Sequence, residues 1–167
     1  MKKIGVAVVG SGIYGEVHAR TYSKHPAVEL VSIWSRSTSR AKRVARKFDC
    51  KWTTDYTDLL RDDRIHVLSI ATPDHAHTKY AITALNAGKH VLLEKPMAQT
   101  TKECRDILAA RKRSGRKLMV NYHNRWYPDE TLDVSIGQGA VQQRFDRADL
   151  PHRLIGIDSP NRLTHRL

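Results

Sequence analysis

Two clusters of residues in this chain have the types and spacing for chemistry. His90-Val91-Leu92-Leu93 is an apolar run that reads as a buried strand, and Glu94-Lys95-Pro96 ends it. In an open parallel sheet the carboxyl ends of the strands face the ligand crevice, so Lys95 is set to meet a substrate and to take part in proton transfer. The second cluster lies near the amino terminus, where Ile4 to Val9 leads into Gly10-Ser11-Gly12-Ile13-Tyr14-Gly15. Gly10 permits a sharp turn, Gly12 lets backbone approach a pyrophosphate, and Gly15 lets the next helix pack closely. The amides at the helix amino terminus then face the phosphates. Alone, this spacing also fits any tight strand-to-helix turn; within a βαβ unit it reads as a dinucleotide-binding turn.

The end of the second strand decides which dinucleotide. A carboxylate there would bond the ribose hydroxyls of NAD, but the chain offers Ile33-Trp34-Ser35-Arg36-Ser37-Thr38-Ser39-Arg40. Ser35, Arg36, Ser37 and Arg40 supply hydroxyls and planar cations suited to a 2′-phosphate, which favours NADP while leaving NAD possible. The plainer alternative is a polar loop whose serines cap the following helix.

The elements that must position these groups alternate along the chain. Strands are expected at 4–9, 28–34, 51–53, 67–71, 90–93 and 117–121, and helices at 16–24, 39–48, 56–61, 74–87 and 100–113. This order predicts an α/β fold, a doubly wound parallel sheet with right-handed crossovers.

Composition narrows the class. At 167 residues the chain suits one domain with an appendage. Neither a signal peptide nor a run of about 20 apolar residues is evident, so the expectation is a cytoplasmic protein that does not enter a membrane. Cys50 and Cys104 lack metal-ligand spacing, and no metal site is expected; His75 and His77 stand two apart without a carboxylate cluster. The formal charge of +12 invites a nucleic-acid reading. The basic residues interleave with apolar ones on expected helices, however, so a solvated helix face is preferred, then a field drawing in an anionic dinucleotide. Nucleic acid comes last.

Ala71-Thr72-Pro73-Asp74-His75-Ala76-His77, followed by Ala87-Gly88-Lys89-His90-Val91-Leu92-Leu93-Glu94-Lys95-Pro96-Met97-Ala98, resembles the amino-terminal half of the Gfo/Idh/MocA oxidoreductases, the glucose-fructose oxidoreductase and inositol dehydrogenase family. The likeness runs from about Ile4 to Pro128. It implies a Rossmann domain binding NAD(P), with Glu94-Lys95-Pro96 near the nicotinamide and a cis bond before Pro96. By the same likeness Thr72, Pro73 and His77 match the cofactor-side segment, and Lys95 the lysine that contacts the reacting sugar hydroxyl. Arg125 matches the arginine of the crossover into a second domain. Read without the motif, Lys95 would be a surface lysine paired with Glu94, and His77 part of a polar first turn.

After Pro128 the likeness stops. Residues 129–167 show no sustained period, carry Gly137-Gln138-Gly139, Pro151 and Pro160, and contain none of the chain's twelve lysines. The expected division is a cofactor domain over 1–128 and an aberrant or poorly ordered tail over 129–167 in place of the substrate domain. A shifted reading frame is preferred over a genuine short variant. Two functions stay open: the cofactor half of a sugar or polyol dehydrogenase, truncated and inactive unless a second domain is supplied, or a dinucleotide-binding module without turnover. Loss of a covering sheet would leave apolar surface exposed around the crevice and the sixth strand.

Overall fold

The computed structural model describes residues 2–122. Six parallel strands form one sheet: β1 (Ile4–Val9), β2 (Val28–Trp34), β3 (Lys51–Thr53), β4 (Val67–Ile70), β5 (His90–Glu94) and β6 (Leu118–Asn121), in the order β3-β2-β1-β4-β5-β6. The connections carry α1 (Ile13–Lys24), α2 (Thr38–Lys47), α3 (Tyr56–Arg61), α4 (His77–Asn86) and α5 (Thr101–Ser114). The chain starts at the centre of the sheet, winds outward to β3, and returns to build β4 to β6 on the other side. The reversal occurs between β1 and β4, where the crevice of such a sheet lies.

Burial on both faces explains why the strands read as continuous apolar runs. Ala7 and Val9 of β1 join the large core with Leu68, Ile70, Val91, Leu93, Leu85 and Ile107. Val8, one residue out of step, joins Ile33, Ala19, Val44 and Ala45 in a second core under α1 and α2. Simple alternation fails in β2. Val6 pairs with Leu30 and Ala7 with Ser32, so an extra residue enters β2 at this point. The bulge resets the alternation, and Trp34 ends in the large core beside Tyr56 and Tyr80.

Local chemistry fixes the helix ends. Thr100 Oγ1 accepts from Glu103 N at 3.2 Å while Glu103 Oε2 accepts from Thr100 N at 3.0 Å, a reciprocal cap that starts α5. The segment expected as one helix from Asp74 instead opens as a 3-10 turn, Asp74–Ala76, before α4 begins at His77. In the other direction, α1 starts at Ile13 and not Glu16, because the glycine turn supplies its first residues. Among the described residues no helix is long and apolar enough to cross a membrane.

Candidate functional site

The carboxyl ends of β1, β2 and β4 enclose an open crevice of about 750 Å³. Gly10, Ser11, Gly12, Ile13, Tyr14, Ser35, Arg36, Ser37, Arg40, Thr72 and Pro73 line it, together with Trp34 and Ala71, which the sequence reading did not single out. Each of the three glycines has a distinct role. At Gly10, φ is +121° and an added Cβ would lie 2.4 Å from Ala71 O, so the turn tolerates no side chain. A Cβ on Gly15 would lie 2.1 Å from Gly10 O, where the helix crosses its own entry turn. Gly12 differs, because its Cβ would meet nothing within 4 Å. The space above it opens onto the crevice. Gly12 also caps α1 without a side-chain hydrogen bond, so the first amides of this 12-residue helix are left to an anion.

At the other end of the crevice Ser11 Oγ donates to Ser35 Oγ at 2.8 Å, and Ser37 N donates to the same oxygen at 3.3 Å. Ser35 thus accepts twice and keeps its own proton for a ligand. Ser37 also caps α2, its hydroxyl accepting from Arg40 N at 3.5 Å, so the capping alternative holds for this one serine. No carboxylate occurs among the described lining residues, and neither Arg36 nor Arg40 has an acidic partner among the described residues. Thr72 Oγ1 is buried with no hydrogen-bond partner. The uncapped helix, the space over Gly12 and the two cations fit a dinucleotide.

The structure gives His77 a place beneath the lining. It is 1% exposed, with Nδ1 2.7 Å from Pro96 O and Nε2 3.0 Å from Thr72 O. The ring lies between the loop after β4 and the loop after β5, each nitrogen within hydrogen-bond distance of a backbone carbonyl oxygen. Glu94 also turns inward. Its carboxylate is buried, with Oε1 2.9 Å from His18 Nε2 and 2.7 Å from Asn121 Nδ2, and Oε2 accepting from Lys95 N at 3.2 Å. Burial alone would push this carboxyl up, but the hydrogen bonds from His18 and Asn121 and from the Lys95 amide together hold it below the usual carboxylate range. The alternative in which Lys95 pairs with Glu94 is therefore corrected. The Glu94 carboxylate is taken up by His18, Asn121 and the Lys95 amide, and the exposed Lys95 amine just past the end of β5 has no partner among the described residues.

Pro96 follows a cis peptide bond, as the resemblance implied. His18, Ser69, Tyr22 and Asn121, which surround Glu94, are residues that the sequence reading missed. His18 makes its two contacts to residues 51 and 76 positions away, a relation no local pattern reveals. Among the described residues the exposed large hydrophobics are Ile13 and Tyr14 at the crevice, Val17, Trp52, and Tyr122 just after β6. Arg125, the boundary after Pro128 and the character of 129–167 lie outside the described residues.

A six-stranded doubly wound sheet with a glycine turn, an uncapped helix and an open crevice at the switch point defines a Rossmann dinucleotide-binding domain. Residues 4–122 match the family described as "Oxidoreductase family, NAD-binding Rossmann fold", and the chain belongs to this family, Gfo/Idh/MocA. It is similar to an inositol 2-dehydrogenase of Rubrobacter xylanophilus, with 34% identity over 84% of this chain and 41% of that protein. Among solved structures, GenD2 from gentamicin A biosynthesis, in complex with NAD, superposes with a TM-score of 0.70 and 33% identity over 72% of this chain and 34% of that one. A variant of KijD10, a 3-ketoreductase from Actinomadura kijaniata in complex with TDP-benzene and NADP, gives 0.73 and 29% over 77% and 40%. The chain spans between 39% and 45% of the length of the first curated relatives it matches.

Proposed function

We propose that this chain holds NADP, and NAD more weakly, as the cofactor half of a dehydrogenase acting on a hydroxyl or carbonyl of a sugar or cyclitol. The observation that carries the reading is the crevice itself, open over Gly12 and walled at the end of β2 by Ser35, Arg36 and Arg40 without a carboxylate. The pyrophosphate belongs over the amides of α1, and the 2′-phosphate against Arg36, with Arg40 and the Ser35 proton beside it. When bound, the nicotinamide supplies the hydride donor or acceptor.

The strand order sets the remaining direction. With adenosine over β2, the other half of a dinucleotide extends across β4 and β5, whose carboxyl ends carry Thr72, Pro73 and the Glu94-Lys95-Pro96 loop. Lys95 is the group proposed to hold the substrate hydroxyl and move its proton, supported by its exposed and unpaired amine. His77 and Glu94 act by fixing the loops. The sugar pocket, the role of Arg125 and the tail after Pro128 remain parts of the proposal, as does the cytoplasmic setting. Titration of the purified chain with NADPH and NADH tests the reading: tighter binding of NADPH supports it, and equal binding removes the phosphate site at Arg36.

A further inference from the structure

The buried groups around Glu94 form one continuous chain. Tyr22 Oη donates to Ser69 Oγ at 3.1 Å, Ser69 Oγ lies 2.8 Å from His18 Nδ1, and His18 Nε2 lies 2.9 Å from Glu94 Oε1. Burial pushes the Tyr22 phenol up to about 12, the Ser69 hydrogen bond opposing and the Glu94 charge adding, so Tyr22 stays a donor. A single proton order satisfies every member: Tyr22 to Ser69, Ser69 to Nδ1, and Nε2–H to the carboxylate. Ser69, His18 and Glu94 are all buried. None of the four lines the crevice, so the network does not contact a ligand there.

Its effect falls on the neighbouring residue. Consecutive glutamate and lysine at an exposed strand end would ordinarily share charge through solvent. Here α1 supplies His18 and β6 supplies Asn121 to the same carboxylate oxygen, and the other oxygen takes the Lys95 amide. The carboxylate is fully engaged inside the sheet, and the Lys95 amine outside has no counter-ion among the described residues. We propose that His18 is a positioning residue that acts through Glu94, holding the carboxylate inward so that the Lys95 amine stays unpaired and available to a substrate hydroxyl. The availability to substrate rests on the function proposed above; the effect on the amine does not.

Without the imidazole, a carboxylate left short of a donor in an apolar interior is driven toward water, where the exposed amine of the next residue, Lys95, is a cation it can pair with. Trace acetylation of the full chain without cofactor, read at Lys95 by peptide mass spectrometry with folding checked by circular dichroism, tests this. In His18→Leu the Lys95 rate near pH 8 is expected to fall about tenfold, because an ammonium that gains a carboxylate neighbour holds its proton more tightly. His18→Gln, which restores an N–H donor, should return the rate to within about twofold of the unmodified chain, and adding Glu94→Gln to His18→Leu should do the same. An unchanged Lys95 rate in folded His18→Leu overturns the proposal, since a purely structural histidine would give that result. If His18→Leu does not fold, Asn121→Ala removes the other donor to Oε1 at the sheet edge; a lowered rate supports the proposal and an unchanged one overturns it. Cofactor affinity does not enter the readout, so failure of the dinucleotide site and failure of this inference are separable.

Discussion

Ser11 Oγ donates to Ser35 Oγ at 2.8 Å, joining the glycine turn after β1 to the end of β2 across 24 positions of sequence. The bond locks together the two backbone segments that a dinucleotide must touch at once, one for its pyrophosphate and one for its adenosine ribose. The site is thereby organised before any ligand arrives, which reduces the ordering that binding must otherwise supply.

Arg36→Ala should remove most of the preference for NADPH. Charge-assisted hydrogen bonds to a phosphate contribute about 1.5 to 3 kcal/mol, so NADPH affinity should drop roughly 10- to 150-fold while NADH affinity changes little. Calorimetric titration with both cofactors measures the two changes together. An equal loss for both would mean that Arg36 serves the loop and not the phosphate.

Gly12→Val and Gly15→Ala should fail in opposite ways. At Gly12 the new side chain enters open space, so the fold should persist and dinucleotide binding should be lost by obstruction. At Gly15 the added Cβ would sit 2.1 Å from a backbone oxygen, so the fold itself should suffer. A destabilisation of about 1–3 kcal/mol is expected for Gly15→Ala, against under about 1 kcal/mol for Gly12→Val. Urea unfolding of both variants, paired with NADPH titration, separates the two.

Acid stability should report the Glu94 network. Its carboxyl is held below the ordinary value near 4.5 in the folded chain, burial being outweighed by the His18, Asn121 and Lys95 contacts. A depressed folded value means that the stabilisation is present above the unfolded value and is lost as pH falls below it through the folded one. Glu94→Gln should therefore lower stability at neutral pH and flatten its decline below about pH 4.5. Parallel denaturation curves from pH 7 to about 3 check this, and an unchanged acid limb would remove Glu94 as a contributor.

Much of this fold was legible because its strands are buried on both faces and its helices end in strong signals. The apolar runs of β1, β4 and β5 and the glycine turn follow from local composition, and eleven of the expected site residues line the crevice. Other features depend on distant partners. The β2 bulge opposite Val6 and Ala7 is invisible to an alternation count, because Leu30 to Trp34 is apolar enough to fit either register. The ring of His77 lies against carbonyl oxygens on two loops, one of them 19 positions away, a placement that the local sequence does not show. His18 on α1 gave no signal at all, since its partners are Ser69 on β4 and Glu94 on β5.

His77→Phe should loosen the crevice without touching its lining. The phenyl ring keeps most of the volume but donates nothing to Pro96 O or Thr72 O, at a cost of about 1–3 kcal/mol. Hydrogen exchange should quicken in the segments around Thr72 and Pro96 while α5 stays protected. If exchange is unchanged there, the two loops are held by other contacts.

Calorimetric titration of the purified 167-residue chain with NADPH tests whether the crevice at the ends of β1, β2 and β4 is a dinucleotide site. The expected result is one site per chain, tighter for NADPH than for NADH and abolished in Gly12→Val. Absence of binding by both cofactors to the folded chain would contradict the account.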